Sequence, residues 1–471
     1  MTDDECLMSK TADLRQLDNA HVWHPFTPML EHCREETPVI EAGDGFYLID
    51  TDGRRYLDGI SSLWCNVHGH RVPEIDRAVR EQLDRIAHST LLGLSNVPSI
   101  QLASELVRRV PGGLNHVFYS DNGSTAVEAA LKIAWQYYRQ RPGTSQDRDL
   151  FVSMSGAYHG DTVGSVSVGG IELFHATYGG LLFKTIKVPS PGGCRYPSGY
   201  SRDSWRSFCE QELERVVVEH RSRIAGFVIE PVVQGAAGIL VHPPGWLRRV
   251  RELTAANDIL LIADEVATGF GRTGTLFACE QDSVRPDLMC LAKGLTGGYL
   301  PLAATLATDE VYDAFLAEPA AGKTFFHGHT FTGNPVACAA ALASLALIDA
   351  NSVLTNVGTI AGLLERRLAE LRGRHHLGDI RQKGIMTGIE LVADRADLCP
   401  FPAEARIGHR VALAARKRGV VIRPLGDVIV LMPAPAMPAR LVDELCSATF
   451  AAIDEVLNEI SPAASKATGP I

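Results

Sequence analysis

The segment ILLIADEV, residues 259–266, places five apolar residues directly before two acids, Asp264 and Glu265. A second apolar run, LMCLA at 288–292, ends immediately before Lys293. Short apolar runs separated by helical segments are typical of a mostly parallel sheet covered by helices on both faces. Ligands bind at the carboxyl edge of such a sheet. We therefore predict an α/β fold in which Asp264 and Lys293, about one βαβ unit apart, face the same pocket.

The same pattern recurs along the middle of the chain, in the runs HVFYS (116–120), LFVSM (150–154), GFVIEP (226–231) and AATLAT (303–308). These runs predict one large domain over residues 71–350. The apolar stretch from Pro335 to Ile348 is shorter than the ~18 residues that a membrane span requires. It therefore predicts a buried helix, and we expect no contact with a membrane.

The C-terminal part predicts a smaller α+β domain over residues 351–460, with two helices around a pair of strands. Its strand candidates are IMTGIELV (385–392), VVIRP (420–424) and DVIVLMP (427–433). Residues 1–70 contain short strand-like pieces and are predicted to join this domain. The tail, residues 461–471, is rich in Ala, Ser and Pro and is predicted to fray.

Composition excludes several classes of protein. The 471 residues carry a formal net charge of −10, and a mildly acidic chain gains nothing from counterion release on nucleic acid. Ten cysteines without a CxxC pair argue against a disulfide framework and a zinc ribbon, and favour a reducing compartment. The acidic start, MTDDECLMSK, lacks the apolar core of a signal peptide. We therefore expect a cytoplasmic protein with no nucleic-acid partner.

A small polar loop, SDNGST at 120–125, lies between a predicted strand and a long helix that begins AVEAALK. The free N–H groups and positive dipole end of such a helix favour a phosphate group. Gly123 permits close approach of the backbone, and Ser124 and Thr125 add hydroxyl donors. An ordinary N-cap explains the same residues, so the loop alone leaves both interpretations open.

Asp264 and Lys293 each have a functional and an ordinary interpretation. A carboxylate at a sheet edge needs a cationic partner, such as a protonated pyridine, a metal ion or an arginine, unless it serves as a cap or surface pair. A lysine in an apolar cleft has a lowered pKa and is a plausible imine-forming nucleophile, although most lone lysines are solvated. A phosphate cradle, an acid for a ring nitrogen and such a lysine are together the parts that pyridoxal phosphate needs.

Two longer motifs make the match specific: LIADEVATGFGRTG (261–274) and PDLMCLAKGLTGGYLP (286–301). They resemble the class III aminotransferases of fold type I, and the resemblance runs from about residue 23 to 433. Other segments resemble the branch that aminates 8-amino-7-oxononanoate in biotin synthesis: HVWHPFT (21–27), SSLW (61–64), GAYHGDT (156–162), IEPVVQGA (229–236), HGHTFTGNP (327–335) and IRPLG (422–426).

The resemblance implies pyridoxal 5'-phosphate as cofactor, with Lys293, Asp264 and Tyr158 as catalytic residues. Lys293 holds the cofactor covalently, Asp264 pairs with the ring nitrogen, and Glu230 supports the site from behind. The residues that it implies for cofactor binding are Gly123, Ser124, Tyr158, Gln234, Asp264, Val266, Lys293, His329 and Thr330. Because Thr330 reaches the phosphate from a second subunit, the resemblance also implies a homodimer with shared active sites.

For the substrate, the resemblance implies that Arg423 takes the carboxylate of 8-amino-7-oxononanoate with a bidentate fork. The residues that it implies for the substrate channel are Phe26, Leu63, Trp64, Tyr158, Lys293 and Gly328. Leu63, Phe26 and His329 stand where the branch that uses S-adenosylmethionine has Trp, Tyr and Pro, and they resemble the branch that uses L-lysine. The amino donor is left open between these two compounds.

Other interpretations are kept beside this one. Another class III transaminase of ω-amino acids, and a non-catalytic regulatory protein that binds the cofactor, fit the same motifs. A nucleotide-binding dehydrogenase fits poorly, because no GxGxxG follows a strand with an acid about 20 residues on. Trp64 and Tyr158 are alternatively core aromatics. Four histidines, at 68, 70, 327 and 329, match no common zinc spacing, and we expect no metal there.

Overall fold

The computed structural model describes residues 3–141 and 148–460, so the predicted tail at 461–471 lies outside the described residues. The strands are β1 (Ile40–Asp44), β2 (Tyr47–Asp50), β3 (Arg55–Asp58), β4 (Leu114–Ser120), β5 (Leu150–Met154), β6 (Ile186–Val188), β7 (Ile224–Ile229), β8 (Val233–Gln234), β9 (Leu240–Val241), β10 (Leu260–Asp264), β11 (Leu288–Leu291), β12 (Ala303–Thr308), β13 (Leu377–Lys383), β14 (Met386–Leu391), β15 (Val420–Val421), β16 (Arg423–Leu425) and β17 (Val428–Leu431).

The helices are α1 (Asp3–His21), α2 (Met29–His32), α3 (Ser61–Trp64), α4 (Pro73–Leu83), α5 (Val97–Arg109), α6 (Gly123–Gln140), α7 (Val163–Val168), α8 (Glu172–His175), α9 (Arg202–His220), α10 (Trp246–Ala256), α11 (Asp309–Asp313), α12 (Pro335–Ala350), α13 (Val353–Ala369), α14 (Ile407–Lys417) and α15 (Ala439–Ile460). Short 3₁₀ turns connect several of them, including one that begins at Lys293.

A seven-stranded sheet in the order β4-β12-β11-β10-β7-β5-β6 forms the centre of the molecule. Only β12 runs antiparallel to its neighbours, so the sheet is mostly parallel, as the apolar runs predict. The neighbours β10 and β11 pair in register, with Asp264 beside Cys290. Asp264 and Lys293 therefore leave the sheet at the same edge.

Helices cover both faces of this sheet. Side chains of α6 pack on one face against alternate strand residues such as Val228 and Ile262. Side chains of α9 and α10 pack on the other face against Phe227 and Leu261. This alternation follows from the two-residue period of a strand. It also explains why the strands read as continuous apolar runs, since both of their faces are buried.

The prediction of two helices around one strand pair after residue 350 is wrong. The structure has three long helices there, and a four-stranded sheet in the order β13-β14-β17-β16. The sequence LGDIRQK of β13 gave no apolar signal because β13 is a partly exposed edge strand. The run VVIRP is divided at Ile422 between β15 and β16, which belong to different sheets.

The N-terminal strands share a sheet with the C-terminal part of the chain. β15 pairs in parallel with β3, and the sheet order is β1-β2-β3-β15. This pairing supports the predicted contribution of residues 1–70 to the smaller domain. The division of the chain at residues 70 and 350 stays a prediction.

The buried helix predicted at Pro335 to Ile348 is confirmed as α12, most of whose residues are buried. Within the described ranges, 3–141 and 148–460, no single helix is long and apolar enough to cross a membrane. Taken together, α12 and α13 reach that length and composition, but they bend by 67°.

Candidate active site

An open cleft of about 690 Å³ lies where the strands of the central sheet end. Its walls come from the segments that follow β4, β5, β7, β10 and β11, together with the end of α3. The cleft brings together many of the residues that the sequence singled out: Trp64, Gly123, Ser124, Tyr158, Glu230, Asp264, Val266 and Lys293. These residues therefore lie close together because most of them follow strands that end at the same edge of the sheet.

The loop before α6 is both a helix cap and a free anion site. Asn122 accepts a hydrogen bond from the Thr125 amide at 3.1 Å, and the Thr125 hydroxyl accepts one from the Asn122 amide at 3.1 Å. This capping box leaves the first-turn N–H groups of Gly123 and Ser124 without an acceptor inside the helix. The two interpretations of the loop are therefore compatible, because different N–H groups serve each of them.

Gly123 is required by its closeness to the acid-bearing strand end. A Cβ atom at Gly123 would lie 2.6 Å from Val266 Cγ1, which is closer than real Cβ atoms approach. The Ser124 hydroxyl lies 2.8 Å from that of Thr162 and accepts from the Thr162 amide at 3.0 Å. Glu128 in turn accepts from the Thr162 hydroxyl at 2.5 Å. These bonds fix the orientation of Ser124 at the cleft wall.

Asp264 is buried at the end of β10 and has an imidazole partner. Its Oδ2 lies 2.7 Å from Nδ1 of His159, and its Oδ1 accepts from the Val266 amide at 3.1 Å. His159 is also buried, and its Nε2 has no hydrogen-bond partner among the described residues. The sequence reasoning missed His159, although it lies in the quoted motif GAYHGDT, because burial of a histidine leaves no signal in the pattern.

Hydrogen bonds hold both the side chain and the backbone of Tyr158. Its hydroxyl donates to Asp161 Oδ2 at 2.7 Å, and its amide donates to Glu230 Oε1 at 3.0 Å. Burial raises the pKa of Tyr158, so its hydroxyl stays protonated. Glu230 also accepts from the Gly235 amide at 2.8 Å, and burial raises the pKa of Glu230 to about 7. Asp161 is a second residue that the sequence reasoning missed.

Lys293 directly follows β11 and points its amine towards an aromatic ring. The residue has a left-handed backbone with φ of 44°, and its Nζ lies 4.8 Å from the centroid of the Trp64 ring. Burial lowers the pKa of Lys293, although Asp264 and Glu230 oppose that shift. A lowered pKa increases the fraction of neutral amine, which is the nucleophilic form.

The Trp64 ring is presented by a left-handed turn. All four residues of α3 have φ between 47° and 68°, a conformation that costs L-residues about 1–2 kcal/mol each. Arg272, fully buried, donates to Ser61 Oγ at 2.9 Å and to Asn66 O at 2.8 Å, on either side of the turn. It also donates to Pro433 O at 2.9 Å, and burial lowers its pKa to about 10. Arg272 lies in the motif LIADEVATGFGRTG, but the motif alone does not predict this anchoring role.

The remaining predicted site residues lie outside this cleft. Gln234 is fully buried, and its amide donates to Ser155 O at 2.9 Å and accepts from the Ser190 hydroxyl. Phe26 and Arg423 line a second cavity of about 580 Å³. Leu63, Gly328 and Thr330 are exposed and line neither cavity.

His329 lies near the loop at 120–125 because it contacts Asp121. Its Nδ1 is 2.6 Å from Asp121 Oδ2, and Asp121 lines the cleft. The other histidines considered for a metal have separate partners: His68 contacts Ser344, His70 contacts Asp58, and His327 contacts Lys132.

The residues of the cleft fit pyridoxal phosphate. The helix N-terminus with its two free N–H groups suits the phosphate, the buried carboxylate of Asp264 suits a protonated ring nitrogen, and the Lys293 amine suits an aldehyde. The family described as Aminotransferase class-III matches residues 32–453. The chain belongs to this family, so it is an aminotransferase of fold type I that uses pyridoxal phosphate.

Individual relatives narrow the comparison further. The chain is 57% identical over 428 residues to adenosylmethionine-8-amino-7-oxononanoate aminotransferase of Nitratidesulfovibrio vulgaris, covering 91% of this chain and 79% of that protein. The protein of the same name from Geobacter sulfurreducens is 52% identical, with 92% and 96% covered.

Solved structures give the same picture. The crystal structure of adenosylmethionine-8-amino-7-oxononanoate aminotransferase from Methanocaldococcus jannaschii matches with a TM-score of 0.89 and 43% identity, over 94% of this chain and 99% of that one. An (S)-enantioselective omega-transaminase from Thermomicrobium roseum also matches with a TM-score of 0.89, at 36% identity over 95% and 98% of the two chains.

Proposed function

We propose that this enzyme converts 8-amino-7-oxononanoate to 7,8-diaminononanoate in biotin synthesis, with S-adenosylmethionine or L-lysine as amino donor. The relatives with the highest identities among those compared carry the name of this reaction. The observation in the structure that supports the proposal is Arg423, a half-buried residue on the wall of the second cavity. Its guanidinium makes no hydrogen bond or ion pair with the part of the chain that the structure describes.

A half-buried guanidinium without a protein partner is costly, and a substrate carboxylate removes that cost with two parallel hydrogen bonds. 8-Amino-7-oxononanoate has one carboxylate at the far end of a long aliphatic chain. The second cavity that contains Arg423 has a mixed lining. It contains the apolar side chains of Phe26, Phe401 and Ile422 and the charged side chains of Glu31, Glu35, Arg406, Arg416 and Asp427. The proposed place for the substrate carboxylate is Arg423, with the neighbouring Ile422 and Phe26 beside the aliphatic chain.

Pyridoxal phosphate, when bound, supplies an electron sink for the carbanion at the reacting carbon. Asp264 keeps a proton on the ring nitrogen, and the contact with His159 holds its carboxylate in place. The freed amine of Lys293 moves the proton to and from the reacting carbon. Tyr158 and Val266 would flank the cofactor and exclude water, and Gly123 and Ser124 would hold its phosphate.

Donor and acceptor react in turn at this one site, so the kinetics are ping-pong. Both donors bring a positive charge close to the reacting carbon, as a sulfonium or as an ammonium group. The Trp64 ring is the aromatic face that lies closest to the Lys293 amine and suits either cation. Leu63, with 49% of its surface exposed, offers no such face.

The proposed assembly is a homodimer with shared active sites. Four large apolar side chains are exposed on two segments of the chain: Leu92 (84%), Leu94 (63%), Phe326 (83%) and Phe331 (60%). The Phe331 ring lies 4.9 Å from that of His88, which joins the two segments into one surface. Exposed apolar side chains grouped in this way support an interface. Thr330 is exposed next to Phe331 on the same surface, which supports the proposal that it would contact the phosphate site of a second subunit.

The proposed location is the cytoplasm. The nine cysteines from Cys33 to Cys446 are all free, which suits a reducing compartment.

A half-reaction assay tests the function. Holoenzyme is mixed with S-adenosylmethionine or L-lysine alone, and loss of the cofactor's aldehyde absorbance identifies the donor. 8-Amino-7-oxononanoate is then added, and the diamine product is measured by mass spectrometry. Absence of 7,8-diaminononanoate with both donors, while an ω-amino acid reacts, would show the alternative class III transaminase; the omega-transaminase neighbour makes that the second candidate.

Arg423→Ala separates the two halves of the reaction. We expect it to slow the acceptor half-reaction about 10- to 100-fold, as loss of a charged hydrogen-bonded pair predicts, and to leave the donor half-reaction close to wild type. Arg418→Ala, in the same region but exposed and paired with Glu455, is the matched control. Equal losses in both half-reactions contradict the role of Arg423.

A further inference from the structure

Three side chains near the N-terminus converge on one point, and the proposed function uses none of them. Nε2 of His24 lies 3.0 Å from both oxygens of the Asp18 carboxylate. Nε2 of His32 lies 2.9 Å from Asp18 Oδ2. The two imidazole rings are 4.0 Å apart, tilted by 37°. Two nitrogens and a carboxylate thus surround a single position.

The three residues come from three separate pieces of the fold. Asp18 lies in the last turn of α1, His24 in the following loop, and His32 at the end of α2. All three are half-buried and line a cavity of about 250 Å³. The cavity has room for an ion and a water molecule beside the three side chains. Glu35 also lines it, but its Oε1 is engaged 2.6 Å from Nε2 of His409.

We propose that Asp18, His24 and His32 form a binding site for a divalent transition-metal ion of the Zn²⁺ type. Two imidazole nitrogens and one carboxylate oxygen, with water in the fourth position, are a ligand set that Zn²⁺ accepts. Ligand atoms about 2.0–2.2 Å from a tetrahedral ion lie roughly 3.3 Å apart. The observed separations between each Nε2 and the Asp18 oxygens, 2.9–3.0 Å, therefore need to open by only a few tenths of an ångström, and one ligand atom from each of the three residues lies within 4.8 Å of the others.

The ion replaces protons at this position. In the metal-free state each Nε2 that contacts the Asp18 carboxylate carries a hydrogen, so the three groups form a hydrogen-bonded clasp. Binding displaces both hydrogens, which pass to Nδ1 of each ring or to solvent. The hydrogen-bonded clasp is the competing explanation for the same geometry, and metal binding distinguishes the two.

The site closes a loop that leads to the cleft. His24 and His32 flank Phe26, a left-handed residue with φ of 52°. The Phe26 ring packs edge-on against Phe174 at 5.3 Å, and Phe174 packs edge-on against Tyr158 at 6.2 Å. An ion bound by His24 and His32, which precede and follow Phe26 in the sequence, would fix the position of the loop between them. The metal site does not depend on the identity of the substrate.

The test is metal binding by the holoenzyme after treatment with a chelator. Equilibrium dialysis against ZnCl₂ is expected to give one tightly bound Zn²⁺ per chain. His24→Gln and His32→Gln, which remove one ligand each, are expected to weaken the affinity by at least about 10-fold. His21→Gln, an exposed histidine at the end of α1, is the control and is expected to bind as wild type does. Equal affinity of wild type and His24→Gln/His32→Gln overturns the proposal.

Two measurements on the wild type keep the test independent of how the variants fold. Co²⁺ is expected to give the intense visible absorption of a four-coordinate site, and the weak spectrum of hydrated Co²⁺ overturns the proposal. Zn²⁺ is also expected to slow hydrogen exchange in residues 22–31. Tight binding without this protection places the ion elsewhere and overturns the assigned ligands.

Discussion

Alanine at position 123 is expected to weaken cofactor binding, because the loop before α6 has no space for a Cβ atom. Such an atom would lie 2.6 Å from Val266 Cγ1 and 3.0 Å from Cγ2. Val266 cannot simply move away, since its amide donates to Asp264 Oδ1 at 3.1 Å. The clash therefore affects both the loop before α6 and the end of β10, which carries Asp264.

The magnitude follows from the cost of inserting one methyl group into a packed region, about 1–3 kcal/mol. If this cost falls on the closed, cofactor-binding geometry, the dissociation constant of pyridoxal phosphate rises about 5- to 150-fold. Titration of apoenzyme with the cofactor, followed by absorbance, measures it. Gly358→Ala is the control: that glycine lies inside α13 with nothing within 4 Å of an added Cβ, and we expect unchanged cofactor affinity.

A double-mutant cycle identifies the cause. Val266→Ala removes the two methyl groups that the new Cβ meets, so the double variant Gly123→Ala/Val266→Ala is expected to lose less affinity than the sum of the two single losses. Additive losses would mean that Val266 does not transmit the clash. Wild-type affinity in Gly123→Ala would refute the close approach itself.

Lys293→Ala is expected to abolish covalent cofactor attachment and turnover; mass spectrometry after borohydride reduction detects the loss, and a persistent adduct would assign another lysine. Burial raises the pKa of Glu230 to about 7, so this carboxyl binds its proton more tightly in the folded state than in the unfolded state. The contribution of the protonated carboxyl to the free energy of unfolding is therefore present at low pH and is lost as pH rises from about 4.5 to 7. Urea denaturation of wild type and Glu230→Gln across this window is expected to show a difference in unfolding free energy that changes with pH, and a constant difference contradicts the assignment. Arg272→Lys leaves up to three acceptors without partners and is expected to lower the unfolding free energy by several kcal/mol at about 1–3 kcal/mol for each; an unchanged denaturation midpoint would refute its anchoring role.

The central sheet was predictable because its strands are buried on both faces. Such strands read as continuous apolar runs, and the runs from 116–120 to 303–308 all form strands of this sheet. β6, with sequence IKV, gave no signal because it is short and contains Lys187. β13 gave none because polar side chains line a partly exposed edge. Predictability therefore depended on both the burial and the length of the strand.

The site residues that lie directly after a buried strand could be predicted from the sequence. Asp264, Lys293 and Ser124 each follow an apolar run, so one rule placed all three at the same edge. His159 and Arg272 act through contacts with residues far away in the sequence, and no local pattern reports such contacts. Asp161 contacts Tyr158 only three positions away, but its acid alone does not indicate that role.

Which cavity each of the remaining predicted residues lines depends on the tertiary fold and could not be predicted from the sequence. Phe26 and Arg423, almost four hundred positions apart, line one cavity, while the cleft with Lys293 is lined by other segments. Motif resemblance assigns both sets to one site, and only coordinates show that the two sets line separate cavities.

The left-handed turn that presents Trp64 has a consequence for how this enzyme matures. Its four unfavourable φ angles are sustained by bonds to the chain beyond β17: Arg272 reaches Pro433 O, and the Ser61 hydroxyl donates to Met432 O. A nascent or partly unfolded chain lacking residues 432–433 keeps the bonds from Arg272 to Ser61 and Asn66 but loses these two bonds. The aromatic wall beside the amine is therefore expected to reach its final shape only after residues 432–433 have folded back against the turn, so a product truncated before them is expected to form a less stable pocket.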